Sequence, residues 1–269
     1  MLGLEELAKP AALAARGGCW FELGMSGLLG APVAQAESLR LTSHRPWPLP
    51  EGRWLIGQTW ESLLFAHWPV DKSLLRPHVP SALELDEHGG SAWVGLTPFR
   101  VSGLRFRGTL PVPGLSGFLE LNCRTYVTVH DRPGIWFFSL DASSRWAVEA
   151  ARRLYRLPYE HARIRAAGGS FEASRIGADG VCFSACYEPR GPIRTAERGS
   201  LEHFLTERYC LYADDGRARA EIHHAPWPLQ EADGEVALQT VSPVPLDGEP
   251  LLHFAGRLDV LIWPLERAL

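Results

Sequence analysis

Segments that favour paired β-strands recur along this chain, and a short turn joins the two members of each pair. One turn, HDRPG, joins LELNCRTYVTV (119–129) to GIWFFSLDA (134–142), and its Pro and Gly favour a reversal of the chain. A second turn, DDG, joins FLTERYCLYA to RARAEIHH, and a third, EHGG, joins SALELD to SAWVGLTPFRV. Many short strands joined in this way predict a mainly β protein, built as an antiparallel barrel or a sandwich.

One strong helix signal interrupts the strands, within SSRWAVEAARRLYRLP. Its apolar residues recur at the i, i+3, i+4, i+7 spacing of a helix face: Ala147, Ala150, Ala151 and Leu154. Asp141, Ser143 or Ser144 can cap its first turn. Pro158 ends it, because proline lacks the amide hydrogen that a further helical turn needs. The sequence therefore predicts a mainly β fold with one main helix near residues 144–157.

The first 45 residues differ in composition from the rest of the chain. They are rich in Ala, Gly and Leu with weak periodicity, and the Pro-rich joint RPWPLP follows at 45–50. We interpret residues 1–45 as an N-terminal extension, partly helical or disordered. Residues 46–269 then form a single β domain, and a chain of 269 residues, 46% of them hydrophobic, is long enough to bury a sizeable core.

Charge and motif content exclude several classes of protein. The formal net charge is -4 and the pI is about 6.2, so no basic surface predicts binding to nucleic acid or to an anionic membrane. The sequence contains no P-loop, no GxGxxG motif and no run of about 18 apolar residues. Its five cysteines form no CxxC pair, which is typical of free thiols in a reducing compartment. We therefore expect a cytoplasmic protein.

Strand geometry sorts the segment ELNCRTY into two unlike faces, since successive side chains of a strand point to opposite sides. One face is apolar, and the other carries four polar residues: Glu120, Asn122, Arg124 and Tyr126. A solvent-exposed sheet face also carries polar residues. Unbroken alternation of Glu, Asn, Arg and Tyr favours instead a lined cavity or a buried ion-pair network. All three interpretations stay open at this point.

The segment RARAEIHH carries a second polar face. Alternation places four residues on it: Arg217, Arg219, Glu221 and His223. His224 falls on the opposite face, so the two adjacent histidines cannot bind one metal ion without a bulge. We therefore predict no metal site, and we interpret a histidine here as part of a hydrogen-bond network or as a proton carrier. A purely structural histidine is the alternative.

Several motifs that occur in order resemble one protein family. They include ELNCRTYV, WFFSLDA, RRLYRLPY, ERYCLY, EIHHAPWPL and LLHFAGRLDV. On these motifs, residues 54–264 resemble the YqjF-like family of uncharacterised bacterial proteins, the DUF2071 group. That family is distantly similar to acetoacetate decarboxylase. The resemblance therefore implies that residues 46–269 form an acetoacetate-decarboxylase-like domain, a closed, cone-like antiparallel β-barrel around an internal pocket.

The resemblance also shows a departure in chemistry. In the decarboxylase, a lysine that follows a helix and a proline forms a Schiff base, and a second lysine lowers its pKa. Here RRLYRLPYEHA places Tyr159 at the position of the first lysine and Glu160 at that of the second. A phenol cannot form an imine, and neither lysine of this chain, Lys9 or Lys72, is well placed to do so. We therefore expect no Schiff-base decarboxylation.

The same resemblance makes ELNCRTYV the strand that faces the pocket. The residues that we expect to act in catalysis are Tyr159, Glu120 and His223. The residues that we expect to bind a substrate are Arg124, Asn122, Tyr126 and Glu221. Arg124 would hold an anionic oxygen, and Tyr159 would donate a hydrogen bond to a carbonyl or enolate oxygen. Glu120 or His223 would move a proton.

Three functions stay open from the sequence. The first is a cofactor-independent lyase or isomerase that acts on a carbonyl-bearing acid. The second is a non-catalytic protein that sequesters an anionic or carbonyl-bearing metabolite in the same pocket. In the third, the polar residues form a buried structural network and binding occurs elsewhere. None of the three calls for a metal, a cofactor, nucleic acid or a membrane, and a homo-oligomer is compatible with each.

Overall fold

The computed structural model describes residues 30–112 and 116–268. Within these ranges it has four α-helices: α1 (Gly30–Glu37), α2 (Lys72–Leu75), α3 (Arg145–Tyr155) and α4 (Leu201–Thr206). It has thirteen strands: β1 (Ile56–Val70), β2 (Glu84–Leu85), β3 (Ala92–Phe106), β4 (Gly117–Val129), β5 (Arg132–Ala142), β6 (Tyr159–Ala167), β7 (Ser170–Arg175), β8 (Cys182–Arg194), β9 (Cys210–Ala213), β10 (Ala218–His224), β11 (Leu229–Gln239), β12 (Leu251–Ile262) and β13 (Glu266–Arg267). No helix in these ranges combines the length and the apolar character that a membrane crossing requires.

The strands close into a cone-like ring. Nine strands form it in the order β1-β3-β4-β5-β6-β7-β8-β11-β12, and β12 pairs with β1 to close it. β9 and β10 connect two parts of this ring, since β9 pairs with β5, and β10 pairs with both β9 and β12. A smaller ring of seven strands therefore closes as well: β1, β3, β4, β5, β9, β10 and β12. The predicted closed β fold is confirmed, with the difference that β5 pairs in parallel with β6 and β9.

Two of the three predicted hairpins are confirmed. β4 pairs with β5 across a turn in which His130 and Asp131 both have positive φ, and β9 pairs with β10. The hairpin predicted at EHGG is wrong, because β2 pairs with β4 and one isolated bridge, between His88 and Ser91, crosses that turn. The residues FLT, predicted as strand, belong to α4, whose first turn is capped by the Ser200 hydroxyl.

Helix α3 confirms the predicted main helix and ends earlier than expected. The Ser144 hydroxyl caps it by accepting a hydrogen bond from the backbone amide of Ala147 at 3.3 Å. Arg156 then adopts a φ of 52°, the left-handed conformation that ends many helices. Pro158 already lies outside the helix, and β6 begins directly after it at Tyr159. The helix end and the proline thus fix where this tyrosine enters the sheet.

Strand β4 is buried on both of its faces. Leu121 and Cys123 belong to the largest apolar cluster, together with Phe171 of β7 and Phe183 of β8. The polar residues of the opposite face are equally buried: Glu120, Asn122, Arg124 and Tyr126. The polar face of β4 is therefore not solvent-exposed, and its side chains must find partners inside the protein.

The N-terminal segment, residues 30–47, packs against β1, β10 and β12. Gln35 of α1 is fully buried, and its Oε1 accepts a hydrogen bond from Arg105 Nε at 2.7 Å. Gly57 leaves room for this contact, since a Cβ there would lie 2.4 Å from Gln35 Oε1. Part of the predicted N-terminal extension is thus docked on the sheet. Its earlier part lies outside the described residues.

Candidate active site

The smaller ring encloses a cavity of about 60 Å³, which we call the inner cavity. Each of the seven strands contributes to its wall, with residues that include Trp60 of β1, Phe99 of β3, Ile135 of β5 and Ile262 of β12. Polar side chains are set among these apolar ones. A mainly apolar wall with a few convergent polar groups is the usual composition of a small-molecule site.

Four of the predicted site residues line the inner cavity. Three share the polar face of β4, and the fourth is the first residue of β6: Glu120, Asn122, Arg124 and Tyr159. The structure thus brings together two separate motifs, ELNCRTY and RLPY, whose Glu120 and Tyr159 lie 39 residues apart in the sequence. They meet because β5 pairs with both β4 and β6.

Glu120 and Tyr159 form one hydrogen-bonded pair in the wall. Glu120 is 3% exposed, and the Tyr159 hydroxyl donates to its Oε2 at 3.1 Å. Burial raises the pKa of the Glu120 carboxyl to about 8, because the ionised form loses its hydration. The Asp141 carboxylate raises this pKa further, whereas hydrogen bonds from Tyr159 and Asn122 lower it. The carboxyl is therefore mostly protonated at neutral pH, yet close enough to its pKa to give or take a proton.

Arg124 is a buried cation that forms no ion pair with a carboxylate of the described residues. It is 5% exposed, and its Nη2 donates to the Leu205 carbonyl at 3.3 Å and to the Tyr126 hydroxyl at 3.4 Å. Its guanidinium carbon lies 5.4 Å from the centre of the Phe65 ring. A buried charge without a counter-charge is costly. The site is therefore suited to an anionic group of a ligand.

Several buried polar atoms of the cavity wall lack a hydrogen-bond partner within the described part of the chain. They are Thr97 Oγ1, Asn122 Oδ1, Arg124 Nε and Trp227 Nε1. Nearly all buried polar atoms in proteins are hydrogen-bonded, so each exception calls for an explanation. These atoms surround a single cavity. Arg124 Nε and Trp227 Nε1 can donate to oxygen atoms of a bound molecule, whereas Asn122 Oδ1 needs a donor such as a hydroxyl.

Tyr126 lies behind Arg124 and not in the cavity wall. Its hydroxyl donates to the Leu205 carbonyl at 2.7 Å and lies 2.6 Å from His67 Nε2. Burial lowers the pKa of His67 well below its ordinary value, and the positive charge of Arg124 lowers it further. The imidazole is therefore neutral. Tyr126 supports the guanidinium from behind, and the structure does not bring it to a ligand in the inner cavity.

Glu221 and His223 face away from the inner cavity, which corrects the prediction that they contribute to the pocket. Glu221 accepts hydrogen bonds from Arg45 Nη2 at 2.9 Å and from Arg132 Nη1 at 2.6 Å. His223 Nε2 lies 2.8 Å from the Ser38 carbonyl oxygen, and burial lowers its pKa to about 4. The physical reason is that the N-terminal segment covers this side of β10 and supplies the partners of both residues.

Arg208 and His224 line the inner cavity and were not predicted. The guanidinium of Arg208 forms an ion pair with Asp86 at 2.6 Å. Its positive charge therefore has a counter-charge, unlike that of Arg124. Burial lowers the pKa of His224, which keeps its ring neutral. Alternation along RARAEIHH did separate His224 from His223, but it does not tell which face meets the cavity. Arg208 lies between α4 and β9, where strand alternation does not apply.

The chain offers little for metal or imine chemistry in the part that the structure describes. There, no group of three or more His, Cys, Asp or Glu side chains is arranged to hold a metal ion. Lys72 lies at the surface, where its Nζ donates to Glu87 Oε1 at 2.5 Å. Lys9 lies outside the described residues. The position next to Glu120 that an amine would need is taken by the phenol of Tyr159.

Sequence comparison finds relatives over most of the chain. The model of the DUF2071 family, described as an uncharacterized conserved protein, matches residues 57–259. The uncharacterized protein YqjF of Bacillus subtilis (strain 168) is 44% identical over 230 residues, which cover 81% of this chain and 95% of YqjF. The matched range contains all four predicted residues of the cavity wall.

Comparison with solved structures finds the same fold at low sequence identity. Acetoacetate decarboxylase from Legionella pneumophila has a TM-score of 0.57 and 11% identity, and covers 84% of this chain and 93% of its own. The enduracididine biosynthesis enzyme MppR complexed with pyruvate has a TM-score of 0.55 and 12% identity, with the same coverage. An acetoacetate decarboxylase-like enzyme from Sphingomonas wittichii RW1 has a TM-score of 0.56 and 13% identity, and covers 83% of this chain and 97% of its own.

Proposed function

This chain belongs to the DUF2071 family and has an acetoacetate-decarboxylase-like fold, and from this premise we propose that its inner cavity binds a small carbonyl-bearing acid and moves a proton at the carbon next to the carbonyl. The reaction uses the protein's own side chains and no cofactor. It places the chain among lyases or isomerases that act through an enol or enolate.

Arg124 is the observation that supports this function most directly. Its guanidinium is buried in the cavity wall, has an unpartnered Nε and forms no ion pair within the described residues. Guanidinium groups bind carboxylates through two parallel hydrogen bonds. The carboxylate of a bound acid would supply the missing negative charge and an acceptor for Nε. Neutral His67 behind the guanidinium adds no competing charge.

Glu120 and Tyr159 supply the groups for proton transfer. The ionised form of Glu120 takes a proton from the carbon next to the carbonyl, and the electron pair of that C–H bond moves into the enolate. Once Glu120 has taken the proton, its carboxyl no longer needs the hydrogen of the Tyr159 phenol. The phenol, whose pKa burial raises well above its ordinary value, then turns this hydrogen to the enolate oxygen. Protonated Glu120 then returns the proton to the same carbon or to another one. A pKa of about 8 keeps both forms of the carboxyl populated near neutral pH.

Tyr159 also separates this reaction from imine chemistry. A phenol cannot form a Schiff base, and Lys72 is held at the surface by Glu87. The shared fold with MppR, which has been solved with pyruvate, makes pyruvate a reasonable first probe. Pyruvate carries a carboxylate, a carbonyl and exchangeable protons on the neighbouring carbon.

Proton exchange at pyruvate tests the proposed function. The full-length protein is incubated with pyruvate in heavy water, and the methyl proton signal is followed by nuclear magnetic resonance. We expect the protein to accelerate the loss of this signal, and we expect Glu120→Gln to reduce the rate by about a hundredfold or more, as for loss of a general base. Calorimetric titration of pyruvate into the same proteins gives the affinity separately.

Two variants complete the test. Arg124→Met should abolish pyruvate binding, and Tyr159→Phe should slow exchange while binding remains within a few fold. Binding of pyruvate without any exchange would favour the non-catalytic, sequestering function. Absence of both binding and exchange for pyruvate and for acetoacetate would contradict the proposed site.

A further inference from the structure

A second cavity, of about 70 Å³, lies between helix α3 and strands of the smaller ring. We call it the outer cavity. Helix α3 lines it with the apolar face that the sequence predicted: Ala147, Ala150, Ala151 and Leu154. Leu154 is 41% exposed, so the outer cavity reaches the surface of the protein at this residue.

The two cavities have part of their walls in common. Five residues line both: Gln58, Leu157, Tyr159, Leu211 and Ile262. Residues that line two cavities stand at the boundary between them. Tyr159 is one of these, and its hydroxyl reaches Glu120 in the inner cavity. These shared side chains form the partition between the cavities, so a molecule held in the inner cavity extends into the outer one only if the Tyr159 side chain moves aside.

The two walls differ in chemistry. The inner cavity carries the carboxyl of Glu120, the guanidinium groups of Arg124 and Arg208, and the imidazole of His224. The outer cavity is lined mainly by aliphatic and aromatic side chains, and its polar residues, Gln58, Tyr155 and Tyr159, carry no charge. The Gln58 carbonyl oxygen is already engaged by Trp60 Nε1 at 2.7 Å. One end of the combined site thus carries charged groups and the other is mainly apolar, although the Tyr155 hydroxyl there has no hydrogen-bond partner among the described residues.

Size limits the ligand further. Both cavities are far smaller than the roughly 300–1,000 Å³ of sites for drug-sized ligands. Resting on the proposed function, we infer that the ligand is a keto acid with a short aliphatic tail, whose carboxylate lies on Arg124 and whose tail passes Tyr159 into the outer cavity. Pyruvate would fill the inner cavity alone.

A chain-length series tests this inference on the full-length protein. Calorimetry measures the affinity for pyruvate, α-ketobutyrate, α-ketovalerate and α-ketocaproate. Burial of one methylene is worth a factor of about four in affinity, so we expect the affinity to rise about fourfold with each added carbon until the outer cavity is full. This gradient is measured on the unmodified protein and does not depend on any variant folding.

Two variants of α3 test whether the aliphatic tail of the keto acid lies in the outer cavity. Ala151→Leu fills the outer cavity, and it should abolish the gain with chain length while the affinity for pyruvate changes less than about twofold. Glu149→Leu is the matched control, because it adds an equally large apolar side chain where the helix is half exposed and does not line the cavity. The control should keep the full gradient.

The outcomes separate this inference from the proposed function. If pyruvate binds and longer keto acids bind no more tightly, the tail does not enter the outer cavity and the inference is overturned, while the proposed function stands. An equal loss of affinity for all four acids in Ala151→Leu would also overturn it. If none of the four acids binds, the proposed function fails and this inference fails with it.

Discussion

Glu120 and Arg124 lie on the same face of one strand, yet the structure keeps them from neutralising each other. Four residues of extended strand span about 13 Å, which is too far for an ion pair. Glu120 and Arg124 therefore interact with other neighbours and not with each other. Burial and Asp141 keep the proton on Glu120, whereas Arg124 keeps its charge among aromatic rings and a neutral histidine. The cavity wall thus contains a proton donor and a cation that are not paired with each other.

Replacing Arg124 should separate stability from binding. Because the guanidinium is buried without an acidic partner among the described residues, Arg124→Met should leave the free energy of unfolding unchanged or raise it by up to about 2 kcal/mol. Arg208→Met is the control, since it strands Asp86 and should cost about 1.5–3 kcal/mol. Urea unfolding of both variants measures this. A large loss for Arg124→Met would mean that the guanidinium is a structural element.

The raised pKa of Glu120 predicts a pH dependence of stability. The folded-state pKa of about 8 lies above the ordinary value of 4.5, so the folded state binds more protons in between. The free energy of unfolding should therefore fall as the pH rises from about 4.5 to 8, by roughly 4 kcal/mol between pH 5 and pH 8. Glu120→Gln removes this contribution, so the variant should gain stability relative to the parent as the pH rises.

Comparison of the two proteins isolates Glu120 from the other titrating groups. Buried histidines with lowered pKa, such as His67 and His224, act in the opposite direction, since their protonation in the unfolded state destabilises the fold below about pH 6.5. Both proteins contain them. Urea unfolding at several pH values gives the difference, and parallel profiles would show that Glu120 is not protonated in the folded protein.

At the scale of elements, one strand serves two unrelated purposes on its two faces. Ile222 and His224 of β10 line the inner cavity, whereas Glu221 and His223 on the opposite face contact the N-terminal segment. The segment therefore braces the wall of the site from behind. Its Arg45 is buried and donates to Glu221 at 2.9 Å and to the Ile222 carbonyl at 2.7 Å.

Loss of the contact between Arg45 and Glu221 should destabilise the protein. Arg45→Met leaves the buried carboxylate of Glu221 with Arg132 and the Trp47 indole, and we expect a cost of about 2–3 kcal/mol, less than for a carboxylate left without any partner. Arg40→Met replaces an exposed arginine of the same segment and should change stability by less than about 0.5 kcal/mol. Thermal and urea unfolding of both variants provide the comparison, and equal effects would contradict the bracing role.

At the scale of the whole molecule, basic charge is carried almost entirely by arginine. The chain has two lysines, Lys9 and Lys72, and neither was found in the cavity wall that the structure describes. A site of this kind can hold an anion firmly, because arginine stays protonated, but it has no amine to offer.

Reductive trapping checks this property on the intact protein. Incubation with pyruvate and borohydride should leave the protein mass unchanged, because Tyr159 cannot form an imine. A Schiff-base enzyme treated in the same way serves as the positive control. A mass increase that maps to Lys9 or Lys72 would show that an amine does reach the ligand.

Most of the fold could be predicted from the sequence, as could four residues of the inner cavity wall. Alternation along β4 placed Glu120, Asn122 and Arg124 on one face, and the family resemblance assigned this face and Tyr159 to the pocket. Alternation along β10 correctly separated Glu221 and His223 from Ile222 and His224. We expected the first two to face the pocket, but the second two do. That choice depends on the N-terminal segment, which covers the polar face from far away in the chain. The error at EHGG has a similar origin, since β2 finds its partner in β4 and not in its neighbour.

The pairing of β1 with β12 has a consequence for the folding of this protein during its synthesis on the ribosome. Ile56 pairs with Ile262, so the ring cannot close until β12 has been synthesised. At about 5–20 residues per second, the first strands wait roughly ten seconds or more with an unpaired edge and uncovered apolar faces. A message cut short before β12 would therefore yield an aggregation-prone polypeptide without a binding cavity, and not a weakened form of the protein.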